Sequence, residues 1–277
     1  MGNRIDRAEL KRRHPLMARV VRIMLAPVRR IRGSALVKQL RASRRFKRDF
    51  SKMTALVDSS QDRRFRLAWP ERMPVLNEDT STTAFDAHYV YHTSWAARLL
   101  SRNPPPLHHD FGSDIRFATL VSAFVPIVFH DFRPLLVELS NLESRRADLL
   151  DMDLESNSVR SLSCMHVVEH IGLGRYGDRI DPQGDLKAIS ELKRILAVSG
   201  NLYFVVPLGK PFLRFNAHRI YSFAMVREYF SEYALLDFSL VTDDGRFVAS
   251  ADPGLADGQR YGCGCFWFKK QHSGDHG

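Results

Sequence analysis

The sequence predicts an α/β body, a mostly parallel sheet with helices on both faces, preceded by a basic helical arm. Three observations carry that prediction. After Pro106, short β-branched and aromatic runs alternate with segments whose apolar residues recur at helical spacing. Several of the strand-like runs end on polar or glycine-bearing turns such as "DFGSD" and "VPLGK". The last two strand-like runs have no helical pattern between them, which suits an antiparallel hairpin at one edge of the sheet.

The arm comes first. Residues 1 to 50 hold 16 Lys and Arg against Asp6, Glu9 and Asp49, whereas the remaining residues carry 25 basic and 28 acidic side chains. The formal charge of +10 is therefore a property of the arm. Within it, "PLMARVVRIMLAPVRRIRGSALVKQL" spaces apolar side chains three or four apart between arginines. That pattern predicts a helix lying in a membrane interface, with Leu16, Val20, Ile23 and Met24 inward and arginines toward anionic headgroups. A basic arm that binds any polyanion is the competing reading. No stretch reaches the roughly 20 apolar residues that span a bilayer, and the arginine-interrupted run is a poor signal peptide. Residues 1–75 are taken as the arm, closed by the prolines of "WPERMP", 76–272 as the folded body and 273–277 as a disordered tail.

"DAHYVYHTSWAARLLSR" (86–102) reads as a helix ended by Pro104, Pro105 and Pro106. "LHHDFGSD" is a short strand entering a turn, "IRFATLVSAF" a helix, and "VPIVFHD" a strand ending on Asp131. "SVRSLSCMHVV" is the next clear strand. "DLKAISELKRIL" places Leu186, Ile189, Leu192, Ile195 and Leu196 on one helical face. "GNLYFVVPLG" is a strand, "SFAMVREYF" a helix, and "YALLDFSLVTDD" and "YGCGCFWFKK" are the final strands. In such a sheet the ligand lies beyond the carboxyl ends of the strands. Gly112 and Asp131 fall there, 19 positions apart, close to the spacing of a nucleotide-binding glycine turn and its ribose-binding acid.

Cys164, Cys263 and Cys265 are too few for a disulfide framework and point to a reducing compartment. Cys263-Gly-Cys265 sits in an apolar strand-like run and is not expected to hold a metal by itself. His166-Val-Val-Glu169-His170 matches the H-x-x-E-H of inverted zinc peptidases. That chemistry needs both histidines on one helix, and here the string leaves a β-rich run and enters the glycines of "GLGRYGD". A zinc peptidase is excluded on that ground.

The same string resembles the end of strand four in class I S-adenosylmethionine-dependent methyltransferases, with Ser199-Gly200-Asn201-Leu202 to Pro207 as strand five. More closely, "HHDFGS", "HVVEHIGLGRYGD", "VPLGK", "FNAHR" and "YGCGCFWFKK" resemble the domain-of-unknown-function 268 family, over about residues 74–271. The resemblance implies a Rossmann-like, seven-stranded fold and S-adenosylmethionine as cofactor. It implies O-methylation of a glycan or small-molecule hydroxyl in cell-envelope or polysaccharide biosynthesis. By the resemblance Asp110, Gly112 and Ser113 line the methionine portion of the cofactor, with His166 beside them. Asp131 accepts from the ribose hydroxyls, and Asp148 or Asp151 sits near the adenine.

His166, Glu169, His170 and His218 are the candidate catalytic groups, since histidine titrates near neutral pH. Arg175, Tyr176, Asn216 and Arg219 are the candidate acceptor-binding groups, with "GLGRYGD" as a lid. The His166, Glu169, His170 spacing is similar to the E-x-x-E-H of ubiquinone-pathway O-methyltransferases. A divalent ion there is an alternative to the metal-free site expected. Asp114 and Arg116 stand where most such enzymes have further glycines. A non-catalytic binding protein with a degenerate cofactor loop is thus the competing function. The expected partners are the acceptor and an anionic membrane surface through residues 1–50, with no specific nucleic acid. The expected location is the cytoplasm, peripheral on the inner face of the membrane.

Overall fold

The computed structural model describes residues 15–60 and 64–271, the side chains of 15–34 excepted. The expected tail at 273–277 and the interfacial side chains Leu16, Val20, Ile23 and Met24 lie outside that description. Two compact units divide at Ala84/Phe85. The first holds helix α1 (Pro15–Ser59) and a 3₁₀ turn at Trp69–Glu71. Trp69 packs edge-on to Phe50 at 4.9 Å with Arg72 stacked over its ring at 4.2 Å, and Asp79 pairs with Arg45.

In the second unit α2 (Ala87–Arg102) starts at the N-cap Asp86, whose carboxylate accepts from the Tyr89 amide. It buries His92, Trp95, Ala96, Leu99 and Leu100. The strands are β1 (His108–Phe111), β2 (Ile127–Asp131), β3 (Leu142–Arg146), β4 (Val159–Met165), β5 (Leu196–Leu208), β6 (Phe212–Arg214), β7 (His218–Ile220), β8 (Tyr233–Val241), β9 (Phe247–Val248) and β10 (Gly262–Lys270). Between them lie α3 (Ile115–Val121), α4 (Gly184–Ile195), α5 (Phe223–Tyr229) and α6 (Pro253–Asp257).

One sheet runs β3-β2-β1-β4-β5-β10-β8-β9, parallel from β3 through β5, with β10 antiparallel to both β5 and β8. The sheet thus has eight strands rather than seven, because two-residue β9 extends it beyond β8. The expected antiparallel pair at one edge is β8 with β10. β10 is inserted between β5 and β8, and α6 and β9 intervene in the chain. β6 and β7 form a separate ribbon.

Alternation along the strands assigns the two faces. Leu202, Phe204 and Val206 of β5 and Phe266 and Phe268 of β10 pack with Ala188, Ile189 and Leu192 of α4. Tyr203 and Val205 of β5 and Cys263 and Cys265 of β10 pack with Trp95, Ala96 and Leu100 of α2 and Phe117 of α3. Helices on both faces leave the strand ends as the place where a cleft can open.

Candidate functional site

The carboxyl ends of β1, β2 and β4 converge on a cleft of about 340 Å³. Gly112 follows β1 at φ +66°, a backbone that L side chains rarely adopt, and its amide donates to the His130 carbonyl at 2.8 Å. A β-carbon there would lie in ordinary contact, 3.4 Å from Val167 and 3.7 Å from Asp131 Oδ2, so the glycine is required by its backbone angle and not by crowding. Asp131 Oδ1 accepts from the Arg133 amide at 2.7 Å, which fixes the carboxylate at the end of β2. Asp148, Leu149, Leu150, Ile171, Tyr176 and Asp178 also line the cleft. Asp148 Oδ1 accepts from the Leu150 amide at 2.9 Å.

Gly112, Asp131, Asp148 and His166 of the expected cofactor set line this cleft. Asp110, Ser113 and Asp151 do not. Asp110 is fully buried under the floor, where it accepts from Ser163, and burial pushes its carboxyl up to about 7. Ser113 Oγ accepts from the Met165 amide at 3.1 Å, and Asp151 is exposed. The buried His108 bridges Ser161 and Ser163 at 2.8 and 2.9 Å, tying β1 to β4. Asp114 and Arg116, which set this turn apart from a glycine-rich one, bond to each other at 2.9 Å and lie outside the cleft lining.

β4 ends on His166, whose φ of +58° is unusual for a residue with a side chain. Its ring is buried. Nδ1 lies 2.8 Å from Glu169 Oε1 and Nε2 lies 3.3 Å from Cys263 Sγ. Burial holds the imidazole down at about 4 and pushes the Glu169 carboxyl up to about 7. A 3₁₀ turn, Val168–His170, then presents His170. The His170 Nδ1–H donates to the Ala217 carbonyl at 2.6 Å; a carbonyl only accepts, so Nε2 carries the lone pair. Burial lowers the pKa of His170.

Beyond that turn a second cavity is lined by Asp86, His88, Tyr89, His166, Glu169, His170, Arg175, Asn216, His218 and Tyr261, among others. His166 and His170 line both cavities. The expected catalytic histidines and Glu169 are thus brought together, along with Arg175 and Asn216. Tyr176 lines the first cleft instead, with Arg133 and Arg175 stacked over its ring at 5.0 and 5.1 Å.

Arg219 is corrected. It was expected to grip the acceptor, but its guanidinium is buried and donates to the carbonyls of Ile171 at 2.7 Å and Pro182 at 3.2 Å, beside Asp185 at 3.5 Å. It holds the "GLGRYGD" loop from inside. Asp178 does so from the loop itself, accepting from the amides of Gly172, Gly174 and Tyr176. At Gly172 (φ +79°) a β-carbon would lie 2.1 Å from the Asp181 carbonyl oxygen.

Sequence reasoning missed His88, Tyr89 and Tyr261, which reach the site from α2 and from the residue before β10. The one available signal was His88 and His92 four apart in "AHYVYH", on one side of a helix.

Residues 147–243 match the model of the domain-of-unknown-function 268 family, described as a Caenorhabditis protein of unknown function. No curated protein sequence matches the chain. Among solved structures, YcgJ from Bacillus subtilis is similar at 13% identity and a TM-score of 0.48, covering 66% of this chain and 100% of its own. The N-methyltransferase NodS from Bradyrhizobium japonicum, in complex with S-adenosyl-L-homocysteine, is similar at 13% identity and a TM-score of 0.48, covering 67% and 88%. A putative sarcosine dimethylglycine methyltransferase from Galdieria sulphuraria is similar at 14% and 0.48, covering 66% and 86%.

Proposed function

We propose that this chain is a methyltransferase that binds S-adenosylmethionine over β1, β2 and β4 and methylates a hydroxyl of a glycan or small polar molecule in the adjoining cavity. The observation that carries the reading is the shared wall: His166 and His170 belong to both cavities, so a donor in one and an acceptor in the other meet at the end of β4. The residues fit the cofactor. Gly112 lies beside Asp131, whose carboxylate can accept from two neighbouring hydroxyls. Leu149, Leu150 and Ile171 offer apolar walls to a flat base.

Bound there, S-adenosylmethionine supplies an electrophilic methyl group, and the acceptor oxygen gives up one proton as it takes that methyl. The chain does the rest. His170 accepts the proton at Nε2, the nitrogen left free by the bond to Ala217. Tyr89 and Tyr261 give the acceptor cavity aromatic surface, and Asn216 and Arg175 give it donors, a lining suited to a sugar-like hydroxyl compound. Tyr176 and the loop it stands on exclude water from the cleft. The basic arm holds the body at an anionic membrane surface, in keeping with a role in envelope polysaccharide synthesis.

Calorimetry with S-adenosylhomocysteine tests the reading. Wild type should bind at one site, and Asp131→Ala should weaken binding by roughly 1–3 kcal/mol because ribose hydroxyls lose their acceptor. No binding heat in wild type, or equal affinity in the variant, would refute it.

A further inference from the structure

We infer that His88, His166 and Cys263 form a zinc site whose fourth position opens into the acceptor cavity. One ring nitrogen of each histidine and the Cys263 sulfur all lie within 4.8 Å of one another, with His166 Nε2 at 3.3 Å from Sγ. Tetrahedral zinc at ordinary bond lengths places such ligand atoms about 3.3–3.6 Å apart, so the triad is one small contraction from coordination. The donor chemistry selects the ion. A thiolate and two imidazoles suit zinc and reject magnesium and calcium, which take oxygen ligands.

Two independent features support a ligand role for His166. Its other ring nitrogen, Nδ1, is held by the Glu169 carboxyl at 2.8 Å, the carboxylate–histidine arrangement that orients metal-bound imidazoles. Its left-handed backbone, φ +58°, is the kind of strained geometry that clusters at functional sites, and it lies in the segment that brings the ring beside Cys263. His88 comes from the first turn of α2, half-buried, with its ring stacked on Tyr261 at 5.2 Å. His88 and His166 both line the acceptor cavity, so the open position faces the acceptor. Binding displaces the Cys263 proton to solvent and leaves a thiolate on the metal.

The consequence rests on the methyltransferase reading: a hydroxyl on the open position is acidified by the ion and gives its proton to His170. The set differs from His166, Glu169 and His170, where the spacing had offered a metal. Here Glu169 orients a ligand and is not one.

The test uses cobalt(II) as an optical probe on the full chain without cofactor. Wild type should take up one equivalent, show a thiolate-to-cobalt charge-transfer band, and lose it to competing zinc. Cys263→Ser should abolish the band, while Cys265→Ser, its neighbour on the same strand face, should keep it. His88→Ala, at a half-buried helix start that tolerates truncation, should weaken binding at least tenfold, and Glu169→Gln roughly 10- to 100-fold. No stoichiometric cobalt, a band that survives Cys263→Ser, or unchanged affinity in His88→Ala would overturn the proposal. S-adenosylhomocysteine calorimetry on the same samples separates the two readings, because cofactor affinity does not depend on the cobalt band.

Discussion

The bond from His170 Nδ1 to the Ala217 carbonyl decides which ring nitrogen can take a proton. His170→Ala should slow methyl transfer about 10²- to 10⁴-fold, the usual contribution of a positioned base, and leave S-adenosylhomocysteine affinity within roughly twofold. A comparable loss in both would mean that the ring shapes the cofactor cleft and is no base. At this scale the sequence was partly legible. Gly112 and Asp131 could be found because both close strands and stand 19 positions apart in one strand–helix–strand unit. His88 and Cys263 could not, because their nearness to His166 is made by packing α2 and β10 on the sheet, and no local spacing encodes it. Arg219 misled for a related reason. An arginine in "FNAHR" looks the same whether it faces a ligand or the carbonyls of Ile171 and Pro182.

Elements differ in how plainly they announce themselves. α4 and β5 were readable because a helical apolar spacing and a continuous apolar run both end in the core. β3, with the sequence LESRR, is an edge strand whose side chains are largely exposed, so it carries no apolar alternation to read. The loop from Gly172 to Asp181 is held by Arg219 and Asp178 rather than by a core of its own. Arg219→Met should leave Asp185 with the Tyr221 hydroxyl but no cationic partner, and take the guanidinium donors from the Ile171 and Pro182 carbonyls, at a cost of about 3–5 kcal/mol. Hydrogen exchange should then quicken in 171–182 ahead of the sheet; uniform quickening would show that the loop is no separate unit. In the first unit, Leu36, Leu40, Met53 and Leu56 of α1 are exposed beside many basic residues, and no helix among the described residues can cross a membrane. Deleting residues 1–50 should abolish co-sedimentation with anionic vesicles. Equal sedimentation of both forms would end the surface-docking idea.

For the whole molecule, the buried histidines set the response to acid. Burial holds His108 and His130 down at about 3 and lowers His109 as well, while it pushes Asp110 up to about 7. An unfolded histidine binds a proton as pH falls through about 6.5, and these folded ones do not until near 3. Between those values the unfolded chain holds more protons and stability falls with pH. Asp110 works the other way, its stabilisation being present at low pH and lost as pH rises through about 7. Around the site His88, His92 and His166 are lowered and Glu169 raised, again by burial, so histidines prevail there too. The urea midpoint should therefore drop from about pH 7 to about pH 5, and His108→Gln should shrink that drop. A midpoint that rises on acidification would contradict the balance.

β10 lies between β5 and β8, although both precede it in the chain. During synthesis, β3, β2, β1, β4 and β5 can pair as they emerge, but β8 has no place in the sheet until residues 262–270 arrive. Until then the open edge of β5 and β8, paired only with two-residue β9, offer apolar backbone to any neighbouring nascent chain. A ribosome-held chain stopped before residue 262 should stay protease-sensitive through 233–241, and release of 262–270 from the exit tunnel should protect both strands in one step.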